Sequence, residues 1–436
     1  MMAPLTSLVL PFLLSCFSAR PAHAIPYRRA AALPPSQDPW YTAPEGYEDA
    51  APGEILRIRP AKDSLIAALG KNASAIYNIL YRTSDSFDNP SWAVTTLLVP
   101  PEPLHNNGTS LLSYQIPYNT LNLDYSPSYA LDTQFASAFS DIIPSLSRGW
   151  YVNIPDFEGP RAAFSVSVEE AHATLDSIRA AIAAGNGLRS DTRVALWGYS
   201  GGTLPSEFAA EIAPYYAPDI NLVGVAIGGL LANVTNALVT IDGQSYAGLS
   251  ILTTLGLATS YPEVQSYLDT TLKPSGPYNA TEFFSAKSLA TFDAFARFAN
   301  QSIGNYFTTG DSWLNAAALK PAISRNWQMG KYFTPQVPLY IYKAIHDEMS
   351  PVADTDAVVQ KYCVDGANIL YERNTVGLHQ DEYTNGNAPA YAWLVSVLEG
   401  TYGSLYETVG CTIRDVTVSV PIAFTELPRL SAGVPW

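Results

Sequence analysis

Positive charge is scarce in this chain, and charge of either sign is sparse. Its 436 residues hold 24 lysines and arginines against 39 aspartates and glutamates, for a formal net charge of −15, and charged residues make up only 14% of the whole. Without a basic field to neutralise phosphates, nucleic acid is not expected as a partner. Sulfur is rare as well, at 3 cysteines and 4 methionines. The 5 histidines are scattered and no Cys/His spacing suits zinc, so no metal site is expected. No G-x-x-x-x-G-K or dinucleotide fingerprint follows the early strands, and no cofactor is expected. Internal repeats and low-complexity blocks are missing too. What is plentiful is apolar and aromatic: 47% hydrophobic residues, 27 tyrosines and 33 prolines. That composition excludes disorder as the main state, and the length can bury a large core.

The first 24 residues read as a secretory signal peptide. An apolar run from Leu5 to Phe17 precedes Ala22-His23-Ala24, a small-x-small cleavage site, and the run is too short to span a bilayer. Cleavage there would leave residues 25–436 in an oxidising, extracellular compartment and discard Cys16. Cys363 and Cys411 then form an even pair, for which a disulfide is the default and two buried thiols the alternative. Five sequons, at Asn72, Asn107, Asn233, Asn279 and Asn300, fit a secreted glycoprotein. The uncharged stretch Leu222 to Ile241 contains three glycines and polar residues and lacks flanking Lys/Arg. It reads as a buried strand running into a loop and helix, not as a transmembrane segment.

Residues 25–60 are Pro-rich and read as an irregular N-terminal arm. Beyond them, strands are expected at Tyr77–Arg82, Ala93–Val99, Ser110–Ile116, Tyr151–Ile154, Arg193–Trp197, Leu222–Ile227, Leu339–Lys343 and Ile369–Tyr371. Val168–Ala184 places Ala171, Leu175, Ile178 and Ile182 on one helical face. The last four strands are separated by long, helix-bearing connections, as a parallel α/β sheet requires. From about 230 to 330 the rhythm breaks into apolar helical segments, such as Gly248–Ala258 and Phe283–Phe298, without a clear strand. This stretch reads as an inserted helical lid or cap, the alternative being the core of a second domain. Leu249, Ile251, Leu252, Leu255 and Leu257 could line an acyl site there or simply pack a core.

The chemistry is carried by Gly198-Tyr-Ser-Gly-Gly202. An apolar strand enters G-x-S-x-G and a helical Ser206-Glu-Phe-Ala-Ala-Glu-Ile follows, the setting of a nucleophile elbow that exposes the Ser200 hydroxyl on a strained turn. Side chains at Gly198 or Gly202 would collide with the neighbouring strand and helix. A serine hydroxyl needs a base to take its proton. His23 leaves with the signal peptide, His105 and His172 precede the serine, and His346 leaves no earlier acid-bearing strand end. The order Ser, acid, His therefore selects His379, in a loop after the last expected strand. Asp347, at the end of Leu339–Lys343, is the expected acid, with Glu348 as fallback; Asp354 and Asp356 fall in the next helix. The backbone N–H of Gly201, next to the nucleophile, is one expected oxyanion donor.

With these residues placed, most of the chain after the signal peptide resembles the fungal secretory lipase family, of the Candida antarctica lipase A type. The likeness runs from Asp38-Pro-Trp-Tyr to Cys411. It includes Pro127-Ser-Tyr, Asp156-Phe-Glu-Gly-Pro, Tyr342-Lys-Ala-Ile-His-Asp-Glu-Met-Ser-Pro and His379-Gln-Asp-Glu. The resemblance implies an α/β-hydrolase fold: a mostly parallel central sheet, flanking helices, an inserted lid and an acyl tunnel. It implies Ser200, Asp347 and His379 as the triad and a disulfide matching Cys363–Cys411. It also places Asn119, in Gln115-Ile-Pro-Tyr-Asn119-Thr120, where the family carries an Asp whose backbone supplies the second oxyanion donor. Tyr125 and Ser126 stand where a family cysteine would be, so one of the family's two disulfides is missing. The expected function is that of a secreted, monomeric lipase hydrolysing triacylglycerols and related lipid esters at an oil–water interface. An esterase or acyltransferase for a specific secondary metabolite, or a catalytically silent binding protein, are the rival readings. Asp156-Phe-Glu-Gly-Pro could also pass for a paired-carboxylate glycosidase site, though a role in hydrogen-bonding loops at the strand end is the simpler reading.

Overall fold

Ten strands form one sheet in the order β1-β2-β3-β5-β4-β6-β7-β8-β9-β10 in the computed structural model, which describes residues 32–101 and 108–420. The expected signal peptide with Cys16 and His23, the His105 position and the Asn107 sequon lie outside those residues. The strands are β1 (Ile55–Pro60), β2 (Ala75–Ser84), β3 (Pro90–Val99), β4 (Ser110–Gln115), β5 (Tyr151–Pro155), β6 (Arg193–Tyr199), β7 (Leu222–Gly228), β8 (Leu339–Ala344), β9 (Ile369–Asn374) and β10 (Cys411–Val416). β1, β2, β3 and β5 pair antiparallel in turn, and from β5 across to β10 every pairing is parallel. The eight strands expected from apolar and aromatic runs are all present. The sheet thereby has the α/β-hydrolase plan that the sequence predicts.

Alternation along the strands builds a core on each face. In β6, Val194 and Leu196 join one apolar cluster while Ala195, Trp197 and Tyr199 join the other; in β8, Leu339 and Ile341 face away from Tyr340 and Tyr342. Helices Ser167–Ala183 and Thr203–Tyr216 cover the first face, and Phe139–Ser147 and Asn387–Leu398 the second. With both faces buried, the parallel strands can be apolar on both sides.

Two strands escaped the sequence reading. Ile55-Leu-Arg-Ile-Arg-Pro60 fell inside the supposed irregular arm, yet it is β1, a half-exposed strand whose arginines are half-buried while Ile58 is exposed. Arg57 donates to the carbonyls of Pro39, Trp40 and Thr42 at 3.0, 3.1 and 2.9 Å, which fastens the true arm. β10 is a half-exposed edge strand whose polar outer residues hide its period. Cys363, near the end of helix Val352–Val364, is joined by a disulfide to Cys411 at its start.

Between β7 and β8 lie the helices Val234–Ile241, Gly248–Ser260, Pro262–Thr271, Ala280–Ser285, Thr291–Phe298 and Lys320–Asn326, with no strand among the described residues. The single helix expected over Phe283–Phe298 is broken into two by a 3-10 turn at Ala286–Ser288. Leu249, Ile251, Leu252, Leu255 and Leu257 are buried in the same cluster as the sheet's own residues. Gly256 lets this helix touch the body directly, since a Cβ there would lie 1.9 Å from the Phe164 carbonyl oxygen. No described helix is long and apolar enough to cross a membrane.

Candidate active site

β6 ends at Tyr199, and the chain turns through the 3-10 segment Ser200–Gly202 into helix Thr203–Tyr216. Ser200 sits at φ 52°, in the left-handed region that costs a side-chain-bearing residue of order 1–3 kcal/mol. The flanking glycines permit the turn. A Cβ on Gly198 would lie 2.2 Å from the Gly202 carbonyl oxygen, and one on Gly202 would lie 2.1 Å from that of Gln115 in β4. The Ser200 side chain is thus raised above the carboxyl ends of the parallel strands while remaining half-buried.

His379 Nε2 stands 2.9 Å from Ser200 Oγ, and its Nδ1 stands 2.7 Å from Asp347 Oδ2. The three residues that elimination selected are therefore one hydrogen-bonded chain. His379 is not in a loop, as the sequence suggested, but is the first residue of helix His379–Asn385. Its backbone is held at two points: Tyr199 donates its hydroxyl to the His379 carbonyl at 2.5 Å, and the His379 N–H donates to Glu348 Oε2 at 2.7 Å. Glu348, the fallback acid, thus grips the histidine's backbone while Asp347 takes the ring.

Asp347 is buried and accepts on both oxygens. Met349 N–H and Ser350 N–H donate to Oδ1 at 2.9 and 2.8 Å, and Lys343 Nζ joins His379 on Oδ2 at 2.8 Å. Burial raises the carboxyl's pKa, but the His379 hydrogen bond and the Lys343 charge outweigh it and hold the group well below the usual carboxylate range. Lys343 is fully buried on β8, and burial pulls its own pKa down against the opposing pull of Asp347. Sequence reasoning missed it. The only signal was a basic residue four positions before the acid, and that spacing carries no meaning on a strand.

Asn119 arrives beside the elbow from the loop after β4, at φ 40°, and a Cβ on Gly201 would lie 1.9 Å from its Oδ1. That oxygen is buried and accepts no hydrogen bond. The loop is clamped from two sides. Thr291 Oγ1, at the start of helix Thr291–Phe298, donates to the carbonyls of Tyr118 and Asn119 at 2.7 and 3.0 Å, and Thr120 Oγ1 donates to Leu289 O at 3.2 Å. On the other side Tyr118 packs on Phe157 and its hydroxyl accepts the Glu158 N–H at 2.6 Å. Asp156 accepts from Ser128 N–H and Oγ at 2.8 and 2.5 Å, the loop-holding role read from the sequence, and burial raises its pKa to about 7. Glu158 is buried too, and burial followed by the Glu170 charge raises its pKa well above normal. The amides of Thr120 and Asn119 lie near enough to oppose this without reaching hydrogen-bonding geometry.

The remaining singled-out residues lie apart from this chain of contacts. His172 is buried against Tyr216, with Nδ1 3.2 Å from the Asp85 carbonyl oxygen, and His346 is exposed. Asn72 ends the turn Gly70–Asn72; Asn233 and Asn279 cap helices through their side-chain oxygens, and Asn300 is exposed.

Residues 126–403 match the family model described as secretory lipase. The chain belongs to the secretory lipase family. Among relatives, it is 44% identical over 396 residues to a trichothecene C-3 esterase of Fusarium sporotrichioides, covering 88% of each chain. It is 37% identical over 393 residues to lipase A of Arthroderma benhamiae, covering 86% of this chain and 82% of that one. Among solved structures it is similar to Candida antarctica lipase A in its closed state, with 27% identity, a TM-score of 0.80 and coverage of 90% and 92%. Family and relatives together make this chain an ester hydrolase of the α/β-hydrolase fold.

Proposed function

We propose that the protein is a secreted serine ester hydrolase acting on lipid esters, triacylglycerols included. The observation that carries this reading is the unbroken contact from Asp347 through His379 to Ser200, at 2.7 and 2.9 Å. Ser200 Oγ attacks the ester carbonyl and His379 Nε2 takes its proton, while Asp347 holds the ring's other nitrogen and stabilises the imidazolium. The backbone N–H groups of Gly201 and Asn119 hold the oxyanion, in a hole where one donor is typically worth about 3–4 kcal/mol. Collapse expels the alcohol with the proton from His379, and water then cleaves the acyl-enzyme by the same steps.

A lipid ester is supported by the surroundings. Tyr246, whose pKa is raised by burial and by the nearby Glu348 carboxylate, stacks edge-on to Phe295, and Phe295 to Phe292, which is 78% exposed. This apolar row leads from the acid side of the triad to solvent along the segment 230–330, which we assign as the cap over an acyl site. A second reading has its own support: the higher identity is to an esterase named for a trichothecene, 44% against 37% for the lipase. On that reading the alcohol leaving group is a specific secondary metabolite.

Fluorophosphonate labelling with hydrolysis of tributyrin, emulsified triolein, p-nitrophenyl acetate and an acetylated trichothecene separates these outcomes. Labelling and turnover should vanish in Ser200→Ala, and turnover should fall by at least about a thousandfold in His379→Ala. Wild-type activity in the Ser200→Ala protein would overturn the mechanism. Turnover of the acetylated alcohol without turnover of emulsified triolein would select the second reading.

A further inference from the structure

The Asp347 carboxylate is already held in place without Lys343. Two backbone amides fix one oxygen, and His379 engages the other. Nor is the lysine needed to satisfy its second acceptor, the Leu230 carbonyl at 3.2 Å, because Ser350 Oγ reaches the same oxygen at 2.9 Å. What Lys343 adds is a charge, placed 2.8 Å from the oxygen that the histidine uses. We propose that Lys343 is a positioning residue acting through Asp347: its ammonium neutralises the acid, so that His379 remains an available base in acidic medium.

The reasoning rests on the serine-hydrolase reading above. A lone buried carboxylate would stabilise the imidazolium strongly, and a proton would then occupy His379 before the ester arrived. An Asp347–Lys343 pair is close to neutral, and the imidazole keeps its lone pair to lower pH. Other groups bear on this balance. Glu348 lies on the His379 backbone and Asp354, on helix Val352–Val364, faces Lys343; both carboxylates favour the imidazolium and make the lysine's opposing charge matter more. Glu382, on the histidine's own helix, holds its proton to about pH 7 through burial, so it adds little anionic field at acid pH. Asp381, on the same helix, lies toward Tyr246 of the cap. The phenols of Tyr199 on β6 and of Tyr246 are pushed up by burial and stay neutral.

The test is the pH dependence of kcat/KM for p-nitrophenyl acetate in full-length wild type, Lys343→Met, Lys343→Gln and Lys343→Arg. The two neutral variants should move the acid limb to higher pH by about one unit or more, a loss of at least about tenfold at pH 5, whereas Lys343→Arg should leave the limb's midpoint in place. Folded neutral variants with an unmoved limb, or one moved to lower pH, overturn the proposal. If they do not fold, the wild type decides through 13C-labelled lysine spectra: Lys343 must be an ammonium from pH 5 to 8, and a neutral amine overturns the proposal. Ser200→Ala is the control. Wild-type hydrolysis that persists in it removes the serine mechanism itself, whereas Ser200-dependent hydrolysis with an unmoved limb removes only the role of Lys343.

Discussion

At the scale of single residues, the hydrogen-bonded set of Ser200, His379 and Asp347 was legible because the candidates were so few. With 5 histidines in the chain, only His346 and His379 follow Ser200, and the want of an acid before His346 left His379; the strand ending before Asp347 pointed to that acid, with Glu348 as fallback. The contacts of Lys343, Glu348 and Tyr199 with Asp347 and His379 were not legible, since only the fold creates them. Asn119 lies between these cases: its place followed from family likeness, but nothing in the sequence showed its side chain pressed against Gly201. That contact makes Gly201→Ala informative. The added methyl would meet the far end of a side chain, which can shift, so the protein should fold with little change in Tm. The Asn119 loop would be displaced from the developing oxyanion, and kcat should fall by about 10²–10³, as when one oxyanion donor is lost. Steady-state kinetics on p-nitrophenyl butyrate check this; kcat within about threefold of wild type would rule out the assignment.

At the scale of elements, strands buried on both faces announced themselves and edge strands did not. β4 and β8 are buried at every position and carry short apolar or aromatic stretches, whereas β1 and β10 mix arginine, aspartate and threonine into a weak alternation. The elbow helix and its glycines were readable because two backbones approach there too closely for a Cβ. The break at Ala286–Ser288 was not, because no glycine or proline marks it. β10 borrows stability from outside itself. It pairs on one side only, with β9, and its first residue is tied to helix Val352–Val364 across 48 positions of sequence. Closing a loop of that length is worth about 4 kcal/mol on the chain-entropy account, within a usual range of about 2–5. Cys363→Ser should therefore lower the unfolding free energy by about 2–4 kcal/mol in denaturant titrations. Activity per folded molecule should persist, since neither cysteine touches the triad. Unchanged stability would show that packing alone holds the edge.

At the scale of the whole molecule, the acidity acquires a structural meaning. Eight carboxyls among the described residues, Asp141, Asp156, Glu158, Glu169, Glu170, Asp176, Glu207 and Glu382, have pKa values raised by burial. Asp156 and Glu382 reach about 7 and Asp176 about 6. In the unfolded chain these groups lose their protons near pH 4. Between about pH 4 and 7 the folded protein therefore binds more protons than the unfolded one, and stability falls as pH rises through that window. Asp347 works in the opposite sense: its depressed pKa contributes stability above pH 4 that is lost on further acidification. The repulsion implied by a net charge of −15 also grows toward neutral pH. The stability maximum should then lie near pH 4–5.5. Asp156 alone could contribute on the order of 4 kcal/mol across the window, so Tm by calorimetry should be higher at pH 5 than at pH 8 by about 5 °C or more. Asp156→Asn should flatten part of that slope. A Tm that is level, or higher at pH 8, would mean that these carboxyls ionise within the fold.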